Sequence, residues 1–429
     1  MNNLLSAPLQ LPCGAVLKNR LAKAAMTEGL ADPMNRVTPE LLRLYKRWAG
    51  NGFGLMLTGN VQVDRHHMER SSNVAIDGNG GLEDLQRLAE IGRQDGAHFW
   101  VQLNHTGRQT AMDVNASPLA PSAISLPMAE AGCGQARAMT QEQVADVIRR
   151  FADAAAVCRE TGFTGVQIHA AHGYLLSQFL SPLANARNDE WGGPLENRAR
   201  LLLETVRAVR RAVGADFPVS VKLNSADFQR GGFDFEESMT VVSWLSEERI
   251  DLLEISGGNY EQPQMAGMGE SADHQGKPVT ASTRAREAYF LDYARQVKPR
   301  ASVPLMITGG MRGVASMNEA LSSQACQVVG IARPMCTHPD SLGKYLLNGD
   351  RQDLPSLERL LEIPRDALGP DIDDATFKRL ESFGVLGWYC EQIERIGAGL
   401  EPALDLTVLE ALQNFQQHKA DKTRDWARP

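Results

Sequence analysis

The feature that most constrains this chain is a regular alternation of short apolar runs with amphipathic helical stretches. The runs are Leu21–Met26, Phe53–Thr58, His98–Leu103, Thr164–His169, Pro218–Leu223, Asp251–Ile255, Pro304–Thr308 and Gln327–Ile331. Runs this short and this apolar suit strands covered on both faces, the situation of a parallel sheet. Helix signals lie between them. Thr38-Pro39-Glu40 offers an N-cap, a proline at the first helical position and an early acid, with Leu41, Leu44, Tyr45 and Trp48 on one face. Thr140-x-x-Gln143 is a capping box, and Asp234-x-x-Glu237 and Ser316-x-x-Glu319 predict helix starts of the same kind. Leu201, Val206, Val209 and Val213 keep helical spacing up to Gly214.

Eight strand–helix units within residues 1–345, with no break in composition, predict one α/β domain, a (β/α)8 TIM barrel. A doubly wound open sheet is the alternative, but no GxGxxG follows the first run. The segment before Leu21 reads as a small hairpin closing the barrel bottom. Residues 346–429 carry helical patterns at Leu354–Leu361, Ala375–Ile396 and Leu406–His418. They predict a C-terminal helical extension packed on the barrel or on a partner subunit. Two connections, Asn104–Met139 and Ser256–Ala281, are too long for turns, and both follow a strand, the end where barrels build active sites.

Composition narrows the function classes. The formal charge is −8 with both signs interspersed, so no basic stripe invites nucleic acid or an anionic membrane. No run approaches the roughly 18 apolar residues of a membrane span, and the first residues lack the pattern of a secretory signal. The expectation is a cytoplasmic enzyme acting on a small molecule, with a homo-oligomer left open. Cys13, Cys133, Cys158, Cys326, Cys336 and Cys390 are scattered without a CxxC pair, which reads as buried thiols rather than disulfides or a zinc site.

The most informative stretch follows the fourth run: His169-Ala170-Ala171-His172-Gly173-Tyr174. Two imidazoles can donate to one oxygen and a phenol can supply a proton, which is oxyanion stabilisation joined to general acid catalysis. Two other readings stay open on the residues alone: histidines satisfied by nearby carbonyls, and a metal pair lacking further ligands at clear spacing.

This stretch and its continuation through Leu183-Ala184-Asn185, Arg187, Asp189-Glu190, Gly192-Gly193 and Glu196-Asn197-Arg198 resemble the signature of the Old Yellow Enzyme, or NADH:flavin oxidoreductase, family. The resemblance covers about residues 5–340. It implies FMN as cofactor and NADH or NADPH as reductant. It also implies that Ala25, Met26 and Thr27 at the end of strand one lie against the flavin, with the Thr27 hydroxyl tuning it. Gly59 corresponds to a backbone contact, Gln102 to an amide at the pyrimidine edge, and Lys222 to a cation near flavin N1. Most relatives carry arginine there; lysine keeps the charge and loses the planar fork.

A phosphate grip is expected after strands seven and eight, the usual place in this fold, from Gly309, Gly310, Ala332 and Arg333. The implied reaction passes hydride through the flavin to the β-carbon of an α,β-unsaturated carbonyl compound. His169 and His172 hold its oxygen and Tyr174 gives a proton to Cα. Tyr260, in the Gly- and Gln-rich loop after strand six, is the candidate for a further substrate contact. Gly29 stands where several relatives carry an aromatic residue, so substrate shape does not transfer. Cys336 and Cys390 alone cannot hold an iron–sulfur cluster of the kind one branch carries. Two rival functions are a flavin-free barrel lyase or aldolase using Lys222 as a Schiff base, and a flavin reductase or NADH oxidase without an ene-reductase role.

Overall fold

The computed structural model describes residues 3–126, 132–256, 271–272, 278–279, 291–309, 311, 313–355, 357, 360–369 and 372–426. Its centre is a closed barrel of eight parallel strands. They are β1 (Leu21–Lys23), β2 (Leu55–Gln62), β3 (His98–Asn104), β4 (Gly165–Ala170), β5 (Val219–Asn224), β6 (Leu252–Ser256), β7 (Leu305–Thr308) and β8 (Val328–Ile331). Each lies in or across one of the eight apolar runs. Closure is made by β8 against β1, with Val329 opposite Leu21. β1 stops at Lys23, earlier than its run. Residues 24–27 continue without ladder pairing and become part of the mouth.

The helices form where the capping signals place them. In α1 (Pro39–Ala49) the Thr38 hydroxyl accepts from the Leu41 N–H, and Leu41, Leu44, Tyr45 and Trp48 are buried against the barrel. α2 is Leu82–Gly92. α3 (Gln141–Glu160) has the reciprocal capping box of Thr140 and Gln143. α4 (Arg200–Val213) stops at Gly214, and α5 (Phe235–Glu247) is capped by Asp234. The Ser316 start signal is misplaced by one turn. α6 (Val314–Ser322) begins after Gly313, and the Ser316 hydroxyl donates back to the Gly313 carbonyl from inside the helix.

Side chains at alternate positions of each strand point into the barrel. At the bottom, Ala22, Leu55, Leu57, Trp100, Leu252, Met306 and Val328 form an apolar cluster with Leu9, Leu11 and Leu17. The last three come from an antiparallel hairpin, Leu9–Gln10 paired with Val16–Leu17, which closes that end. The Asp251 carboxylate anchors it by accepting from the Cys13 N–H at 2.8 Å.

Beyond the barrel, α7 (Asp374–Gly397) and α8 (Val408–Trp426) pack on each other and on the barrel's flank. Trp388 is fully buried and Tyr389 nearly so. The Arg43 guanidinium donates to the Gly397 carbonyl, Lys422 to the Gly29 carbonyl, and the Trp426 indole to Asn35 Oδ1. The helix expected at Leu354–Leu361 does not form at its described positions. Pro355 interrupts the pattern, and the segment is instead tied by the Gln352 carbonyl, which accepts from the Val314 N–H. All six cysteines are free thiols, four buried and two half-buried. Among the described residues no helix is long and apolar enough to cross a membrane.

Candidate active site at the barrel mouth

Going up each strand by two residues leads from the apolar bottom to a polar mouth. Trp100 is followed by Gln102, Gly165 by Gln167 and His169, Ser220 by Lys222 and Asn224, and Leu252 by Glu254 and Ser256. The register sets Gln102 beside Gln167, His169 beside Lys222, and Lys222 beside Glu254.

The turn after β4 gathers the three predicted catalytic groups. His172 sits at φ +61° and Gly173 at φ +74°. A non-glycine residue in this left-handed region costs energy and persists only where the surroundings hold it. Here the His172 N–H donates to Asn224 Oδ1 at 3.1 Å, and Gln109 donates to the His172 carbonyl at 3.0 Å. The reversal brings the His172 ring to 4.9 Å and the Tyr174 ring to 5.0 Å from the His169 ring, both edge-on. Sequence proximity alone does not require three rings to meet; the left-handed turn makes them do so.

Both imidazoles are neutral. Burial, and after it the Lys222 cation, hold each well below the usual imidazole range. His169 Nδ1 accepts from the Ala171 N–H at 3.2 Å, which leaves Nε2 as the protonated nitrogen and therefore a donor. His172 Nε2 lies 2.6 Å from the Ser256 hydroxyl, so that nitrogen already has a partner on β6. The Tyr174 hydroxyl donates to Glu69, a residue on the loop after β2. Burial pushes the Glu69 carboxyl up, but nearby Arg70 and hydrogen bonds from Thr27, Tyr174 and Asn60 outweigh it and hold the group below its ordinary value.

The residues expected to face a flavin lie on β2, β3 and β5 and on the segment that follows β1. Thr27 Oγ1 lies 3.1 Å from Asn60 Oδ1. Met26 contacts the Cys336 thiol through its sulfur at 3.7 Å, and Ala25 packs partly buried on the bottom cluster. Gly59 lies at a register shift between β2 and β3, a bulge that turns its N–H outward to the Glu28 carboxylate at 2.7 Å. A Cβ there would overlap the Glu28 carboxylate and the Met26 carbonyl, so only glycine fits. Glu28 also accepts from the Tyr45 hydroxyl. Lys222 Nζ is 3.0 Å from Glu254 Oε1. Salt-bridged to a buried acid, it is poorly placed to serve as a Schiff-base nucleophile, which counts against the lyase reading.

At the ends of β7 and β8, Gly309 takes φ +97° and the half-buried Arg333 stacks its guanidinium 5.8 Å from the Tyr389 ring. Thr308 Oγ1 is shielded from solvent and has no hydrogen-bond partner among the described residues. An orphaned hydroxyl, an arginine and a glycine turn at this end of the barrel fit a phosphate, and neutral imidazoles with an amide and a cation fit a flavin ring. Ala332 is half-buried beside Arg333. Gly310 and Tyr260 lie outside the described residues. Glu69, Glu254, Gln167 and Glu28 escaped sequence reasoning. Each is an acid or amide whose partner sits on another strand or loop, and no local spacing marks it.

The parallel barrel thus gathers neutral histidines, a phenol and a cation salt-bridged to a buried acid at its C-terminal mouth. The sequence profile of the NADH:flavin oxidoreductase / NADH oxidase family matches residues 5–347, and the chain belongs to that family. It is 35% identical to the NADH-dependent flavin oxidoreductase iliE of Hypocrea jecorina (strain QM6a) over 78% of this chain and 86% of that protein. It also resembles a solved 2-naphthoyl-CoA reductase in complex with 2-naphthoyl-CoA, with TM-score 0.74 and 26% identity over 81% of this chain; it spans only 53% of that longer protein. The fold is shared with an Old Yellow Enzyme homologue from Zymomonas mobilis, with TM-score 0.68 and 23% identity, covering 82% of this chain and 95% of that one. The chain is thus an FMN enzyme with NAD(P)H as reductant.

Proposed function

We propose that the protein reduces an electron-poor C=C bond, conjugated to a carbonyl or a related acceptor. The observation that carries this reading is the contact of His169, His172 and Tyr174, with both imidazoles held neutral. A neutral imidazole N–H binds a developing enolate oxygen more tightly than the starting carbonyl, which is the condition for rate enhancement. His169 Nε2 is the donor aimed at that oxygen, and His172 completes the pocket from the Ser256 side. Tyr174 holds the proton destined for Cα. FMN, when bound, supplies hydride taken from NAD(P)H to Cβ. Gln102 and Lys222 would hold the pyrimidine edge of that ring, Thr27, Ala25 and Met26 would line its flank, and Thr308, Gly309, Ala332 and Arg333 would take its phosphate. Residues 1–345 form the catalytic unit in this reading, and the helices of 346–429 brace its rim.

The test separates the two half-reactions by stopped-flow absorbance. His169→Ala is expected to slow reoxidation of the reduced enzyme by cyclohexenone on the order of 10²-fold, and Tyr174→Phe should slow it as well. Reoxidation by oxygen should stay within a few-fold of the parent. Full enone turnover in both variants sinks the assignment. Turnover with oxygen alone in the unaltered enzyme favours an NADH oxidase role.

A further inference from the structure

Four polar side chains on four neighbouring strands form one buried layer beneath the mouth: Gln102 on β3, Gln167 on β4, Lys222 on β5 and Glu254 on β6. Glu254 has no solvent exposure, and the Lys222 side chain is 7% exposed. The ammonium lies 3.0 Å from Glu254 Oε1. Gln167 Nε2 donates to Glu254 Oε2 at 2.8 Å and lies 3.3 Å from the Ser220 hydroxyl. Gln167 Oε1 accepts from Gln102 Nε2 at 2.7 Å.

Two consequences follow from the chemistry of these groups. An ionised carboxylate can only accept, so Gln167 must turn its NH2 towards Glu254 and its carbonyl towards Gln102. Gln102 must then donate inward, which leaves its own carbonyl for the mouth and for a ring imide N–H. The second consequence concerns charge. A lone buried cation would favour any anion placed above it, whereas a cation in contact with a buried anion presents little net charge.

We propose that Glu254 is a positioning residue that sets the potential of the bound flavin. It neutralises Lys222 and fixes the direction of the Gln167–Gln102 amide chain. The enzyme's flavin is therefore harder to reduce than a lone lysine at this place would make it. This rests on the reading that Lys222 and Gln102 face the flavin's pyrimidine edge.

The experiment is an anaerobic measurement of the FMN reduction potential by equilibration with reference dyes, on holoenzyme whose flavin content is checked by absorbance. Glu254→Gln is expected to shift the equilibrium towards reduced flavin tenfold or more, about 30 mV upward for a two-electron couple. Lys222→Met is expected to shift it at least as far downward. The double variant Lys222→Met/Glu254→Met, with neither charge, should lie within about threefold of the parent equilibrium. An unchanged or lowered potential in Glu254→Gln overturns the inference. A double variant as low as Lys222→Met overturns it too, and this arm decides the matter if Glu254→Gln does not retain FMN. A potential unmoved by Lys222→Met defeats instead the reading that sets Lys222 against the flavin.

Discussion

Along β3 and β6 the two layers of the barrel interior are one step of two residues apart, yet they are built on opposite principles. The lower layer, with Leu55, Leu57, Trp100, Leu252, Met306 and Val328, is apolar and closed by the hairpin. The upper layer, with Gln102, Gln167, Lys222 and Glu254, is polar and held by amide hydrogen bonds and an ion pair. Apolar packing stabilises in proportion to area and asks little of orientation. Buried polar groups contribute little net stability, but they have one acceptable arrangement. Stability should thus reside below and chemistry above, in the same eight strands.

The largest effect that could break this contrast is at Trp100, a fully buried indole of the lower layer. Trp100→Ala is expected to cost roughly 3–5 kcal/mol in urea denaturation, while the folded variant still binds FMN in full stoichiometry. Loss of flavin from a stable variant would show that the layers are not separable.

A second effect lies outside the barrel wall. Lys23 is fully buried between β1 and α1, its ammonium 2.8 Å from the Leu57 carbonyl and 4.4 Å from the Trp48 ring centroid. Burial pulls its pKa down to about 8. Above that value the folded state holds fewer protons on this group than the unfolded chain does, so stability rises with pH up to the ordinary lysine range. The gain is about 2–3 kcal/mol by the linkage of pKa to free energy. Denaturation of the parent and of Lys23→Met at pH 7 and pH 10 should show the parent gaining relative to the variant. An equal difference at both pH values would mean that Lys23 does not titrate there.

The smallest effect belongs to the rim. An ionised Glu69 accepting from Tyr174 raises the proton affinity of that phenol, and Glu69→Gln removes the charge. The alkaline limb of enone-driven reoxidation should move to lower pH. Stability should change by no more than about 1 kcal/mol. A rate lowered equally at every pH would assign Glu69 a structural part only.

Legibility in the sequence followed the same division. All eight strands were readable because strands covered on both faces are short apolar runs. The capped helices α1, α3 and α5 were readable because their start signals are local. The Ser316 signal misled because Gly313 offers an earlier start and the serine can satisfy itself inside the helix. At Leu354–Leu361 the leucine pattern gives no helix at its described positions, of which Leu354 and Leu361 are buried while Leu360 is exposed. His169, His172 and Tyr174 stood out because they cluster in the chain. Glu254 did not: within Asp251–Ile255 it is one acid in an apolar run, and its meaning lies in Lys222, opposite it on the neighbouring strand. Lys222 was legible as a cation, but its neutralisation was not.

The docking of α8 also bears on how the protein is made. Lys422 reaches the carbonyl of Gly29, and Trp426 reaches Asn35, across nearly 400 positions of chain. Closure of the barrel likewise waits for Val329 to meet Leu21. During synthesis the amino-terminal strand must therefore remain without its β8 neighbour until some three hundred further residues have left the ribosome. The rim loop after β1 is fastened later still, by the helix translated last among those described. Ribosome pausing or early release upstream of Val408 would yield a barrel with that rim unfastened.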